Sequence, residues 1–130
     1  MIGYVMVGTN KLDNAIEFYD ELLEVLGLTR VDKDEVCAGY ASKEGSGAIE
    51  FYVTLPVNKK EATIGNGSQV SFITTSRSVV DKFHEVGIKA GGKSEGKGGE
   101  RPEGSGAVSY THLRAHETGR NVVCRLLLEK

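Results

Sequence analysis

Residues 1–28 read MIGYVMVGTNKLDNAIEFYDELLEVLGL, and one change of period runs through them. Residues 1–7 alternate, with Val5 and Val7 on one side and Tyr4 and Met6 on the other, which predicts a strand. Thr9 or Asn10 can cap a helix, with Asp13 three residues after Asn10. From there Leu12, Ala15, Ile16, Tyr19, Leu22, Leu23 and Leu26 recur at steps of three and four, forming one apolar stripe. Asp13, Glu17, Asp20, Glu21 and Glu24 fall mostly on the opposite, solvated side. Gly27 supplies the stop.

Outward from that segment, short strands are expected at 28–32, 35–41 and 48–55. Lys33-Asp34 turns the first into the second, and residues 43–47, with Gly45 and Gly47, connect the second to the third. A polar linker follows. Then the pattern restarts: 68–75 reads as a strand, and Ser76 or Ser78 can cap a helix carrying Val79, Val80, Phe83 and Val86. Residues 87–106 are rich in glycine and read as a loop. The order is βαβββ, then βα, so the second half begins to repeat the first.

The 130 residues suit one compact domain. A net charge of −2 with 26% charged residues excludes a basic nucleic-acid stripe and a charged disordered tail. No apolar run approaches the roughly 18 residues that span a membrane. The first residues lack a basic segment of the secretory kind, so a cytoplasmic protein is expected. Cys37 and Cys124 do not make a disulfide framework.

Residues 108–130, VSYTHLRAHETGRNVVCRLLLEK, carry a different signal. They resemble the translation of a sequencing-library adapter. VSYTHLRAHE can be encoded by a transposase end joined to an index primer, residues 118–121 would cover the index, and VCRLLLEK the flow-cell end. Val122 departs from the expected Leu. On this reading the stretch is a non-native tail to be set aside in fold reasoning. The spacing of His112 and His116, with Glu117, would otherwise suggest zinc. The native domain is then 1–107, with module one at 1–56, a linker at 57–67 and an incomplete module two at 68–107. A second module without its last strands leaves an edge unpaired and part of the core uncovered, so low stability, aggregation or a non-functional truncated product is expected.

The arrangement resembles the vicinal oxygen chelate superfamily of glyoxalases, bleomycin-resistance proteins and extradiol dioxygenases. The likeness rests on residues 1–28 with their A-x-x-F-Y helix, on IEFYVTLP at 49–56 and on GNGSQVSFITTSRSVVDKFHEVGIKAGGK at 65–93. It implies an α+β fold in which two βαβββ modules form a curved mixed sheet around a cleft, here with the second module truncated. It implies a glyoxalase-like lyase or isomerase acting on a small oxygenated metabolite, or a metal-free small-molecule binder of the bleomycin-resistance kind. Relatives of this type often pair, so a homodimer is compatible with the likeness; neither nucleic acid nor a membrane is an expected partner.

The resemblance also locates metal ligands on the first and last strands of each module. The first-strand positions usually held by His are Tyr4 and Gln69, and Glu50 lies near the carboxylate position. A divalent ion could take oxygens from Glu50 and Gln69, but two ligands do not make a site. A Tyr phenol, ordinarily titrating at about pH 10, seldom replaces an imidazole. No metal residue is therefore assigned.

Period two places Tyr4 with Met6, Glu50 with Tyr52 and Thr54, and Gln69 with Ser71 and Ile73. Val5, Val7, Phe51, Val53, Val70 and Phe72 alternate with them and suit the core. The mixed polar and aromatic face is the expected ligand surface, with Tyr4, Met6, Tyr52, Gln69 and Ser71 binding substrate. Glu50, a carboxylate between apolar neighbours, is the candidate catalytic base; an exposed strand-end residue is the alternative. GIKAGGKS at 87–94 matches the phosphate-loop pattern formally, yet a helix precedes it and no helix follows. His84 reads as a surface side chain and Cys37 as a plain buried thiol.

Overall fold

The computed structural model describes residues 1–63, 68–94, 99–100, 109–114 and 123–128. The first module is β1 (Val5–Gly8), α1 (Leu12–Glu24), β2 (Leu28–Lys33), β3 (Cys37–Ser42) and β4 (Ile49–Thr54). Its sheet runs β1-β4-β3-β2, with β1 parallel to β4 and the other pairs antiparallel. The second module is β5 (Gln69–Thr74), α2 (Arg77–Lys89), two-residue β6 (Lys93–Ser94) and β7 (Gly99–Glu100), β8 (Ser109–Arg114) and β9 (Val123–Leu128). Its sheet runs β5-β9-β8-β6, with β5 parallel to β9 and β7 also pairing with β8.

The two sheets thus repeat one pairing scheme, in an α+β architecture. The second sheet is not left short: residues 109–114 and 123–128 occupy its closing positions. Both segments are long enough and sufficiently β-prone to satisfy the backbone ladder, whatever the origin of their sequence.

α1 forms where the stripe predicts it. Leu12, Ala15, Ile16, Tyr19, Leu22 and Leu23 are buried, and Phe18, off the stripe, is buried as well. The N-cap is Lys11 rather than Thr9 or Asn10, and no side chain caps the helix. The Thr9 hydroxyl accepts a hydrogen bond from the Lys11 N–H at 3.1 Å. Asn10 is engaged elsewhere: its amide donates to the Ala62 carbonyl (3.2 Å) and accepts from the Ala62 N–H (2.6 Å). α2 ends in a Schellman motif, in which the Gly92 N–H bonds the Gly87 carbonyl (2.8 Å) and the Gly91 N–H that of Ile88 (3.1 Å). Gly91 takes φ +102°, which favours glycine there. The phosphate-loop look-alike is therefore a helix stop. His84 is half-buried rather than on the open surface, and its Nε2 lies 2.9 Å from the Ser94 hydroxyl.

One core serves both modules. Phe51 of β4 stacks edge-on against Phe72 of β5 at 5.6 Å, Phe72 meets Phe83 of α2 at 6.2 Å, and Tyr19 of α1 lies 5.1 Å from Phe51. Aromatic pairs of this kind add about 0.5–1.5 kcal/mol each to the burial of their area. Tyr40 of β3 is fully buried, and its hydroxyl donates to Asp20 on α1 at 2.9 Å. Arg30 of β2 pairs with the same carboxylate at 3.1 Å. Burial first, and then the Asp20 carboxylate, raises the Tyr40 phenol well above its ordinary titration range.

Candidate functional site

Alternation along β1 and β4 builds an outer face on the first sheet. Met6 pairs with Tyr52 across the parallel ladder, and the Tyr4 ring meets the Tyr52 ring edge-on at 5.1 Å. Tyr4 and Met6 are exposed, while Tyr52 is half-buried. Gly39 of β3 lies opposite Tyr52 and leaves room for it. A register shift between Tyr40 and Ala41 sets the Ile49–Glu50 step of β4 against a single residue of β3. Ile49 lies over Gly39, on the same side as Tyr52.

Glu50 is exposed and helps line a cleft of about 290 Å³ with Ser71 and Ile73 of β5. Leu26, Leu28, Ser42 and Phe72 complete the walls. The Gln69 amide donates to the Ser71 hydroxyl at 3.1 Å. The predicted residues therefore divide. Glu50 and Ser71 share this cleft, with Gln69 behind Ser71. Tyr4, Met6 and Tyr52 form a separate aromatic-thioether surface that contributes no residue to this cleft.

Among the described residues the donor set does not fit a metal centre. No three His, Cys, Asp or Glu side chains gather among the described residues. Tyr4 is committed to an aromatic contact and Gln69 to Ser71. Cys37 is half-buried; burial and then the Asp34 carboxylate push its thiol up, so the metal-binding thiolate is disfavoured.

A larger cavity, about 720 Å³, opens at the C-terminal ends of β1 and β4, where Thr9, Thr54, Leu55 and Pro56 meet residues 57–61. Sequence reasoning passed over it as linker. Its one sequence signal is the run LPVNKKE at 55–61, which sets apolar residues directly beside two lysines.

Two sheets, one of four strands and one of five, each closed by a parallel first and last strand under one helix, define the glyoxalase-type fold. The chain superimposes on a glyoxalase/bleomycin resistance protein from Albidiferax ferrireducens with a TM-score of 0.83 and 32% identity, covering 100% of this chain and 99% of that one. It belongs to the glyoxalase/bleomycin resistance protein family. A glyoxalase-related enzyme from Fulvimarina pelagi has the same fold at TM-score 0.73 and 14% identity, over 99% of this chain and 88% of that one. So does a glyoxalase/bleomycin resistance protein/dioxygenase family enzyme from Burkholderia phytofirmans, at 0.68 and 18%, over 97% and 96%. No protein-family model and no curated relative matches the chain. Among the described residues no helix is long and apolar enough to cross a membrane.

Proposed function

We propose that the protein binds a small, flat, oxygen-bearing molecule without a metal. The observation that carries this is the occupation of the two first-strand positions. Tyr4 is engaged with the Tyr52 ring, and Gln69 with Ser71, where the family resemblance expects imidazoles. Two phenol rings set edge-on, with Met6 beside them, offer an apolar platform whose hydroxyls supply hydrogen bonds at its edge. The Ser71 hydroxyl and the Glu50 carboxylate offer polar contacts in the neighbouring cleft. Family membership is compatible with a ligand-binding role of this kind, since one relative is named a glyoxalase/bleomycin resistance protein.

Glu50 supports a second reading. A carboxylate among Leu26, Leu28, Phe72 and Ile73 can accept a proton from a carbon next to a carbonyl, as a lyase or isomerase requires. Metal analysis and a fragment screen by saturation-transfer NMR separate the two. The binding reading expects hits that survive chelator, transfer magnetisation from the Tyr4 and Tyr52 rings, and weaken in Tyr4→Ala and Tyr52→Ala. One divalent ion per chain, lost in Glu50→Ala, would overturn it in favour of the enzyme.

A further inference from the structure

We propose that the 720 Å³ cavity at the ends of β1 and β4 is a ligand site in its own right, and that it takes a small amphipathic monocarboxylate. It lies apart from Tyr4, Tyr52, Glu50 and Ser71, none of which lines it. Its volume is in the range of small-molecule sites, about 300–1,000 Å³.

The walls divide by chemistry. Val36, Leu55, Pro56 and Val57 give an apolar floor. Val57 is 89% exposed, a solvated apolar surface that a hydrocarbon chain would cover. Lys59 and Lys60 stand on the same wall, and among the described residues neither forms an ion pair. Glu61 is the one acidic residue in the lining. Two ammoniums beside one carboxylate leave a single positive charge, which a monocarboxylate neutralises better than a dianion.

The site is also held in shape. Asn10 clamps the Ala62 backbone through both its donor and its acceptor, fixing the linker against the start of α1. Lys59 adopts φ +59°, an uncommon conformation for a residue with a side chain, and its N–H closes a turn onto the Pro56 carbonyl at 3.0 Å. Backbone held this way concentrates at ligand clamps.

The test uses the full chain and sodium octanoate, followed by backbone amide shifts, with 1-octanol and octyl phosphate as comparison probes. Octanoate is expected to saturate, shifting Val36, Val57 and Lys59, and to bind more tightly than either comparison probe. The double variant Lys59→Gln/Lys60→Gln should weaken it about fivefold, the scale of two exposed charge contacts. Glu61→Gln should tighten it, an opposite sign that general destabilisation does not produce. Tyr4→Ala should leave it unchanged, so failure here is distinct from failure of the platform reading. The proposal is overturned if octanoate gives no saturable shifts, if the shifts map to Tyr4 and Tyr52, or if the lysine variant binds as wild type does.

Discussion

Gly39 is where one added carbon has the sharpest expected effect. A Cβ built there would stand 2.8 Å and 3.1 Å from Cδ1 and Cγ2 of Ile49 and 3.0 Å from Cε1 of Tyr52. Carbons rest at about 3.5–4.0 Å, so all three approaches are repulsive. The atoms are side-chain ends, so Ile49 and Tyr52 must swing off their rotamers, at about 0.5–1.5 kcal/mol each. Overpacking costs of about 1–3 kcal/mol agree. Alanine also narrows the unfolded ensemble, which returns about 0.4–1 kcal/mol. Gly39→Ala should therefore destabilise by about 1 kcal/mol and lower the urea midpoint by roughly 0.5 M with the slope unchanged. Ile49→Ala removes two of the three contacts, so the Gly39→Ala loss should nearly vanish in that background, a coupling of about 1 kcal/mol. Equal losses in both backgrounds would refute the position of Ile49 over Gly39, and with it the bulge at the Ile49–Glu50 step.

Tyr40→Phe removes a partly buried hydrogen bond to a charged acceptor and should cost about 1.5 kcal/mol, the low end for such bonds, in chemical denaturation. Because folding raises the Tyr40 phenol, its contribution is complete below about pH 10, where the unfolded phenol titrates, and is lost as pH climbs further; an alkaline stability limb identical in Tyr40→Phe would contradict this. Phe51→Ala leaves a cavity where both modules meet and should cost about 3–5 kcal/mol, enough to abolish the cooperative melt by circular dichroism of a marginal domain. In a Cys124→Ser background Cys37 should react with Ellman's reagent more slowly than glutathione at neutral pH, since burial and Asp34 disfavour its thiolate; reaction at the glutathione rate would show that the thiol is not held in this way.

Much of this architecture is legible in the residues because periodicity reports which face is buried. The stripe on α1 and the alternation along β1 and β5 do so directly. Phe18 escapes that reading because what buries it is distant in sequence: its ring comes within 3.1 Å of where a Gly92 Cβ would stand, beyond α2. Ile49 escapes because a bulge breaks the period on which alternation relies. Asn10 looks like a cap, and only the fold brings Ala62 to its amide. For the site, alternation separates Tyr4, Met6, Tyr52, Gln69 and Ser71 from the core. It does not reveal that the first three and the last two lie on different surfaces, because that division comes from how the sheets pack. The cavity beside Lys59 is assembled from strand ends and a linker, segments with no period to read.

The parallel closure of each sheet bears on the order in which the chain can fold as it is made. The first sheet has every strand once Thr54 has been synthesised, so this half can organise while the remainder is still emerging. The second cannot, because the hydrogen-bonded neighbour of β5 in its sheet is β9, the last of the described strands in chain order. Until β9 has been made and has paired, the edge of β5 stays open to any extended segment nearby. Chaperone demand should therefore fall on the second half of the nascent chain.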